Sequence, residues 1–151
     1  MKIRTLGLYQ PYASLMLHGK IETRWVKKGK KPPFPIGTYL IYSCKKKYND
    51  QQLQFVAGIE NFYEIKRLLG GSWTPDGHAI CVGELVRVVK WDISDPDGNS
   101  EAYTKSFVVP THDAEYDRWL LYFENVKAVK PFPFKGKQGV GFYTGDLSLL
   151  Q

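Results

Sequence analysis

The stretch from Ile3 to Cys44 constrains this chain more than any other, because it alternates strand, short helix and strand around one polar run. Ile3 to Leu8 reads as a strand. Gln10-Pro11 then opens a short helix, since proline suits the first helical turn, where its missing N–H costs nothing. Ala13, Met16 and Leu17 recur at helical spacing on one face, and Gly19 supplies the stop. Ile21 to Val26 alternates apolar and polar positions, the pattern of a half-buried strand. Lys27 to Pro35 is a basic, proline-bearing loop. Gly37 to Cys44 is the clearest strand in the chain, rich in aromatic and branched residues.

The remaining pattern decides the fold class. Asn49 to Leu69 reads as mostly helical, with Leu53, Val56, Ile59 and Phe62 as core contacts and Gly70-Gly71 as its end. Ala79 to Asp92 reads as a long strand, with Gly83 marking a bulge where the strand bends. Asp95 to Asn99 is a turn cluster. Trp119 to Lys130 is a further strand, and Gly139 to Tyr143 a last short one. Strands without regular βαβ alternation, with one or two helices inserted early, predict an α+β fold: a small mixed β-barrel of five to six strands with helices packed against it. No repeat, low-complexity tract or linker interrupts the 151 residues, so 1–151 is expected to form a single domain.

Composition narrows the partners. Apolar residues make up 43% and charged residues 24%, a balance that argues against disorder. The net charge of +6 and an aromatic share of 15%, including ten Tyr and four Trp, suit a basic surface with flat rings on which bases can stack. Cys44 and Cys81 lie far apart, in no metal-ligand spacing, and read as reduced core thiols of a cytoplasmic protein. No Cys-x-x-Cys or His-x-x-x-His spacing occurs, so neither a metal nor a cofactor is expected. Met1 to Arg4 leads directly into a strand pattern without a signal-like apolar stretch, and no run approaches the ~18 apolar residues of a membrane helix.

The segment Lys20-Ile21-Glu22-Thr23-Arg24-Trp25 concentrates the chemistry. On a strand, Lys20, Glu22 and Arg24 share one face, while Ile21, Thr23 and Trp25 share the other. A base, a hydroxyl and an anion clamp then stand close together. The same pattern also describes a solvated strand face on which Glu22 pairs with its basic neighbours. Three basic clusters, Lys27 to Lys31, Lys45-Lys46-Lys47 and Lys127/Lys130/Lys135/Lys137, sit near aromatics and could meet phosphates, or serve only solubility. The run from Lys135 to Gly141 is glycine-rich but lacks the Ser or Thr of a P-loop, and a strand pattern follows it rather than a helix. No Gly-x-Ser-x-Gly elbow is present, and His18, His78 and His112 are scattered.

Leu6 to Arg24 resembles the opening of ASCH domains: a strand, then Gln-Pro-aromatic-Ala-Ser-Leu, a glycine, and a Lys-bearing segment ending in Glu-x-Arg. Ile41 to Lys45, Ala79 to Val86, and Phe123 to Val126 continuing through Pro133 to Gly139 resemble later pieces of the same family. The likeness covers most of the chain, with Lys47 to Trp73 and Ser94 to Asp117 least constrained. It implies a PUA-like barrel with a cleft between barrel and first helix, and a role with RNA or modified nucleosides.

Within that resemblance two uses of the cleft stay open. Binding of RNA or a modified nucleotide would use Gln10, Lys20, Glu22, Thr23, Arg24 and Lys45, with Arg24 clamping a phosphate or base edge and Glu22 accepting from a base amino group. Some small members resemble amidohydrolases that remove the acetyl group of acetylcytidine with a Lys, a Thr three positions on and a later Glu. Lys20 and Thr23 keep that spacing, with Glu101 in about the region of the third residue. There Lys20 would take the Thr23 proton and Thr23 would attack the amide carbonyl. The Glu-x-Arg of Glu22 and Arg24 instead fits larger members for which no hydrolysis is implied. A protein-interaction module is the third class. Binding is the favoured expectation; Tyr9 and Tyr12 are expected to fill the core.

Overall fold

The computed structural model describes residues 2–70, 73–136 and 140–151. The first strand, β1 (Ile3–Gln10), runs into a one-turn helix α1 (Tyr12–Leu15), which tightens into a 3-10 turn over Met16–His18 and stops at Gly19, whose φ of 78° is the left-handed helix end. Strands β2 (Glu22–Lys27) and β3 (Gly37–Lys47) follow on either side of the basic loop. The helical region is two elements, α2 (Asp50–Ala57) and α3 (Ile59–Leu69). The long strands are β4 (His78–Lys90) and β5 (Tyr116–Pro133), separated by helix α4 (Pro96–Ser106), and β6 (Val140–Tyr143) closes the sequence of strands.

The strands form one mixed sheet in the order β2-β5-β4-β3-β1-β6. β1 is parallel to β3, with Leu6 opposite Ile41, and antiparallel to β6; the other pairings are antiparallel. The β4–β5 register slips between Val82 and Glu84, so Gly83 sits at the expected irregularity. One core draws Leu6, Leu8, Val26, Tyr39, Ile41, Ile80, Cys81, Leu85 and Leu121 from five different strands. Leu40 and Tyr42 of β3, Ala79 of β4 and Tyr143 of β6 form a separate core. The expected barrel is not closed by strand pairing, however: β2 and β6 are the edges of the order. What spans from β2 to β1 is a side chain, the Arg24 guanidinium, which donates from Nη2 to the Gly7 carbonyl at 2.7 Å.

The helices cover one end of this sheet. Asn49 and Gln52 exchange side-chain and backbone hydrogen bonds of 2.8 and 3.0 Å, a capping box that starts α2. Tyr12, Leu15, Leu53, Ala57, Phe62, Ile65, Phe107 and Val108 form the second core. The region expected to be mostly helical is two helices, divided at Gly58, whose φ of 86° breaks the turn and resets the helical phase. Leu53 and Phe62 are buried as expected, but Val56 is only half-buried and Ile59 lies 54% exposed. Leu17, expected on the buried face of the first helix, is also exposed because the chain tightens before it.

Helix α4 replaces the expected turn at Asp95 to Asn99. The Asp-Pro pair that reads as a turn serves as a helix start, with Pro96 at the first position, where its fixed φ is favourable. Its C-terminal end is tied to the rest of the chain: the Ile21 amide donates to the Lys105 carbonyl at 3.0 Å, and Asn61 Nδ2 to the Tyr103 carbonyl at 3.0 Å. Cys81 is fully buried, and burial pushes its thiol up to about 12; Cys44 is only partly covered. The Gly71 end of the helical region and Lys137 to Gly139 of the glycine-rich run lie outside the described residues.

Gly58 gives the fold a direct test. A Cβ at this position would sit 2.6 Å from the Tyr103 hydroxyl and 3.2 Å from Val109 Cγ2, at a φ that side chains rarely adopt. Gly58→Ala should therefore cost more than about 1 kcal/mol, read as a lower midpoint in chemical denaturation. An unchanged midpoint would contradict the packing of α4 on the α2–α3 junction.

Candidate functional site

The polar run ending the first helix folds into a compact charge cluster. Lys20 and Glu22 are both buried, and the Lys20 ammonium donates to Glu22 Oε1. The same oxygen accepts the Thr23 amide at 3.0 Å, while Arg24 Nη2 stands 3.4 Å from Oε2. Strand alternation puts Glu22 and Arg24 on one side of β2, and Lys20, which stands just before the strand, joins them through Glu22 as one linked group. The Lys20 Nζ also lies 5.0 Å from the centre of the Tyr12 ring, whose negative face favours a cation. The Tyr12 hydroxyl in turn donates to the Phe107 carbonyl at 2.7 Å, just past α4.

Burial and charge act against each other in this cluster. Burial pushes the Lys20 amine down, and the adjacent Glu22 only partly restores it. For Glu22 burial acts upward, but Lys20, Arg24 and the Thr23 amide together hold the carboxyl below the usual range. Glu22 is thus an anion at neutral pH, and part of its Oε2 remains for a further donor.

The cluster forms the floor of a cleft of about 350 Å³ lined by Gly7, Leu8, Tyr9, Tyr12, Glu22, Thr23, Arg24, Trp25, Tyr48, Val56, Val108 and Arg118. Arg118 is the residue that sequence reasoning did not find. The β2–β5 ladder sets it opposite Trp25, and its guanidinium lies 4.4 Å from the centre of that ring and 5.8 Å from the Trp91 ring. Tyr48 reaches the cleft from the end of β3 and meets the rings of Tyr9 and Tyr12 edge-on, at 5.6 and 5.8 Å. Nε of Arg24 and Nε of Arg118 are buried without a hydrogen-bond partner among the described residues. Two guanidiniums, one carboxylate and four aromatic rings lining one cleft suit a flat polar ligand with donors and acceptors on its edge.

The other expected site residues fall elsewhere. Gln10 is buried and its amide is fully used: Nε2 donates to the Thr74 carbonyl and hydroxyl at 2.8 and 2.9 Å, and Oε1 accepts the Ser14 amide and hydroxyl at 3.1 and 2.9 Å. Its side chain ties α1 to the segment before β4. Lys45 lines a neighbouring cavity of about 520 Å³ instead, which shares Tyr9 with the cleft. Glu101 lies on the exposed side of α4, 3.2 Å from Lys105 in the next turn, and is not among the cleft residues. Thr23 does line the cleft, whereas the Lys20 side chain is wholly covered behind Glu22. Tyr12 is buried as expected, while Tyr9 is half-buried at the cleft wall. No group of metal-ligating side chains gathers among the described residues, and no helix there is long and apolar enough to cross a membrane.

The buried pair makes two predictions. Glu22→Gln leaves a buried ammonium without its anion and should cost about 3–5 kcal/mol, of which a paired Lys20→Met, Glu22→Leu variant should recover a part. The folded Glu22 value lies below the unfolded one, so its contribution is present above about pH 4.3 and is lost as pH falls through the folded value. Urea midpoints measured downward from pH 6 should therefore drop faster in the wild type than in Glu22→Gln; parallel curves would contradict the ion pair.

No family model and no curated protein matches the chain. Solved structures do. ASCH from Zymomonas mobilis matches with a TM-score of 0.54 at 10% identity, over 93% of this chain and 87% of that one. Two single-residue variants of the same protein match with TM-scores of 0.58 and 0.56, each at 11% identity, the former over 95% of this chain and 91% of that one. At such identity the likeness is one of fold, and it extends over nearly the whole chain: this protein has the fold of the ASCH domains.

Proposed function

We propose that the cleft binds RNA or a modified nucleotide by taking one base between its aromatic walls. The observation that carries this reading is the pairing of opposite charges on a ring-lined floor. Glu22 offers an acceptor for a base amino group, and the Arg24 and Arg118 guanidiniums, which line the cleft, offer charged donors to a carbonyl edge or phosphate. Trp25, with Arg118 on one face, and the Tyr9–Tyr48 pair supply stacking surface. The net charge of +6 favours a polyanion over a free base.

A second reading has one observation in its favour. Burial pushes the Lys20 amine down toward the neutral form a general base needs, and Thr23 stands on the cleft wall three positions on. Hydrolysis of an acylated cytidine would then require Lys20 to be neutral and within reach of Thr23. The Thr23 hydroxyl would add to the amide carbonyl and pass its proton to Lys20, Lys20 would return it to the departing cytidine amine, and water would release the acyl group from Thr23. The carboxylate beside them is Glu22.

Fluorescence anisotropy of a labelled single-stranded RNA tests binding. Affinity should fall linearly as log salt rises, and Arg24→Ala or Arg118→Ala should each weaken it by about 1–3 kcal/mol. A flat salt response and unchanged variants would overturn the reading. Incubation with acetylcytidine tests hydrolysis: cytidine released by the wild type and lost in Thr23→Val would support it, and no release from the wild type would remove it.

A further inference from the structure

The cavity beside the cleft has the composition of a nucleic-acid subsite, although no part of the charge cluster reaches it. Its walls are Tyr9, Tyr42, Pro133 and Phe134, with Gly77 and Gly136 contributing backbone and Lys45, Lys46 and Lys135 contributing charge. At about 520 Å³ it falls in the range of about 300–1,000 Å³ typical of ligand sites. Tyr9 lines both cavities, and Tyr42 and Phe134 meet as tilted rings with centroids 4.8 Å apart in the adjoining floor.

Its lysines differ from the other lysine of their cluster. Lys47, which does not line the cavity, stands 3.5 Å from Asp76. Lys45, Lys46 and Lys135 are exposed and form no ion pair among the described residues. No acidic side chain lines the cavity either. Gly77, beside the Lys45 stem, has a φ of 70° that side chains rarely adopt. Uncompensated positive charge over an aromatic floor is the arrangement that holds a phosphate and stacks the base beside it.

Resting on the base-binding reading of the cleft, we propose that this second cavity holds the adjoining nucleotide of the same strand, so that the ligand is single-stranded RNA of at least two residues rather than a free nucleoside. Tyr9 is the shared wall between the two bases, and Lys45, Lys46 and Lys135 receive the backbone phosphates. The cleft selects the base, and the second cavity adds affinity without reading sequence.

The test compares three proteins on a labelled single-stranded RNA and on one nucleoside. These are the wild type, the triple variant Lys45→Ala, Lys46→Ala, Lys135→Ala, and a control triple, Lys2→Ala, Lys90→Ala, Lys105→Ala, which removes equal charge from exposed positions elsewhere. Circular dichroism melts confirm that all three fold. The cavity triple should lose on the order of tenfold in RNA affinity at low salt and flatten the log–log salt slope by about 2, at about 0.7 per phosphate contact. The control should stay within about twofold, and nucleoside binding should be unchanged in both. Equal losses in the two triples, or none in either, would overturn the subsite. Failure of the cleft reading looks different: Arg24→Ala would then leave nucleoside and RNA binding intact whatever the lysines do.

Discussion

Glu22 is buried between two cations and an amide, and much of the molecule is arranged around keeping it there. Lys20 and the Thr23 amide share one oxygen, and Arg24 stands at the other. Arg24 then carries the cluster across to the Gly7 carbonyl, which no strand pairing reaches from β2. An open sheet is thereby bridged from its β2 edge to β1 by a charge-assisted hydrogen bond. Burying a carboxylate and an ammonium is favourable only when each satisfies the other. Both are supplied by one short segment of chain, so the pairing forms with little loop to close.

The surrounding elements make sense as support for that cluster. Tyr12 covers Lys20 with its ring and is itself fixed by the Phe107 carbonyl beyond α4. The Ile21 amide, between the two charged residues, is held by the Lys105 carbonyl at the end of the same helix. Gln10 spends its whole amide tying the one-turn helix to the Thr74 segment. A helix of one turn cannot hold its position by itself. Fixed from three sides, it presents Tyr12 to the cleft in a set orientation, which is what a stacking or catalytic site requires.

How much of this was legible in the sequence follows from the distance over which each feature is determined. Glu22 and Arg24 sharing a face is a consequence of strand alternation and could be read directly, whereas Lys20 precedes β2 and reaches them through its contact with Glu22. The Gly19 stop and the Asn49 helix start are equally local. Arg118 and Tyr48 reach the cleft through long-range pairing, and nothing near them in sequence distinguishes them from other half-buried residues. Gln10 shows a different limit. Its chemistry suited a ligand, yet a buried amide must first satisfy itself, and Ser14 and Thr74 were within reach. Lys45 lay one cavity away because the parallel β1–β3 register sends it past Tyr9. The helix at Pro96 was hidden by a sequence that favours a turn and a helix start alike.

The central claim is that the Arg24 and Arg118 guanidiniums lining the cleft meet the ligand. Two-dimensional ¹⁵N spectra resolve arginine Nε–H and tryptophan indole signals separately from the backbone. On titration with a short single-stranded RNA, the Nε–H resonances of Arg24 and Arg118 and the Trp25 indole should shift together along one saturating curve. If those signals stay fixed while others saturate, the ligand binds elsewhere and the account of the cleft is wrong.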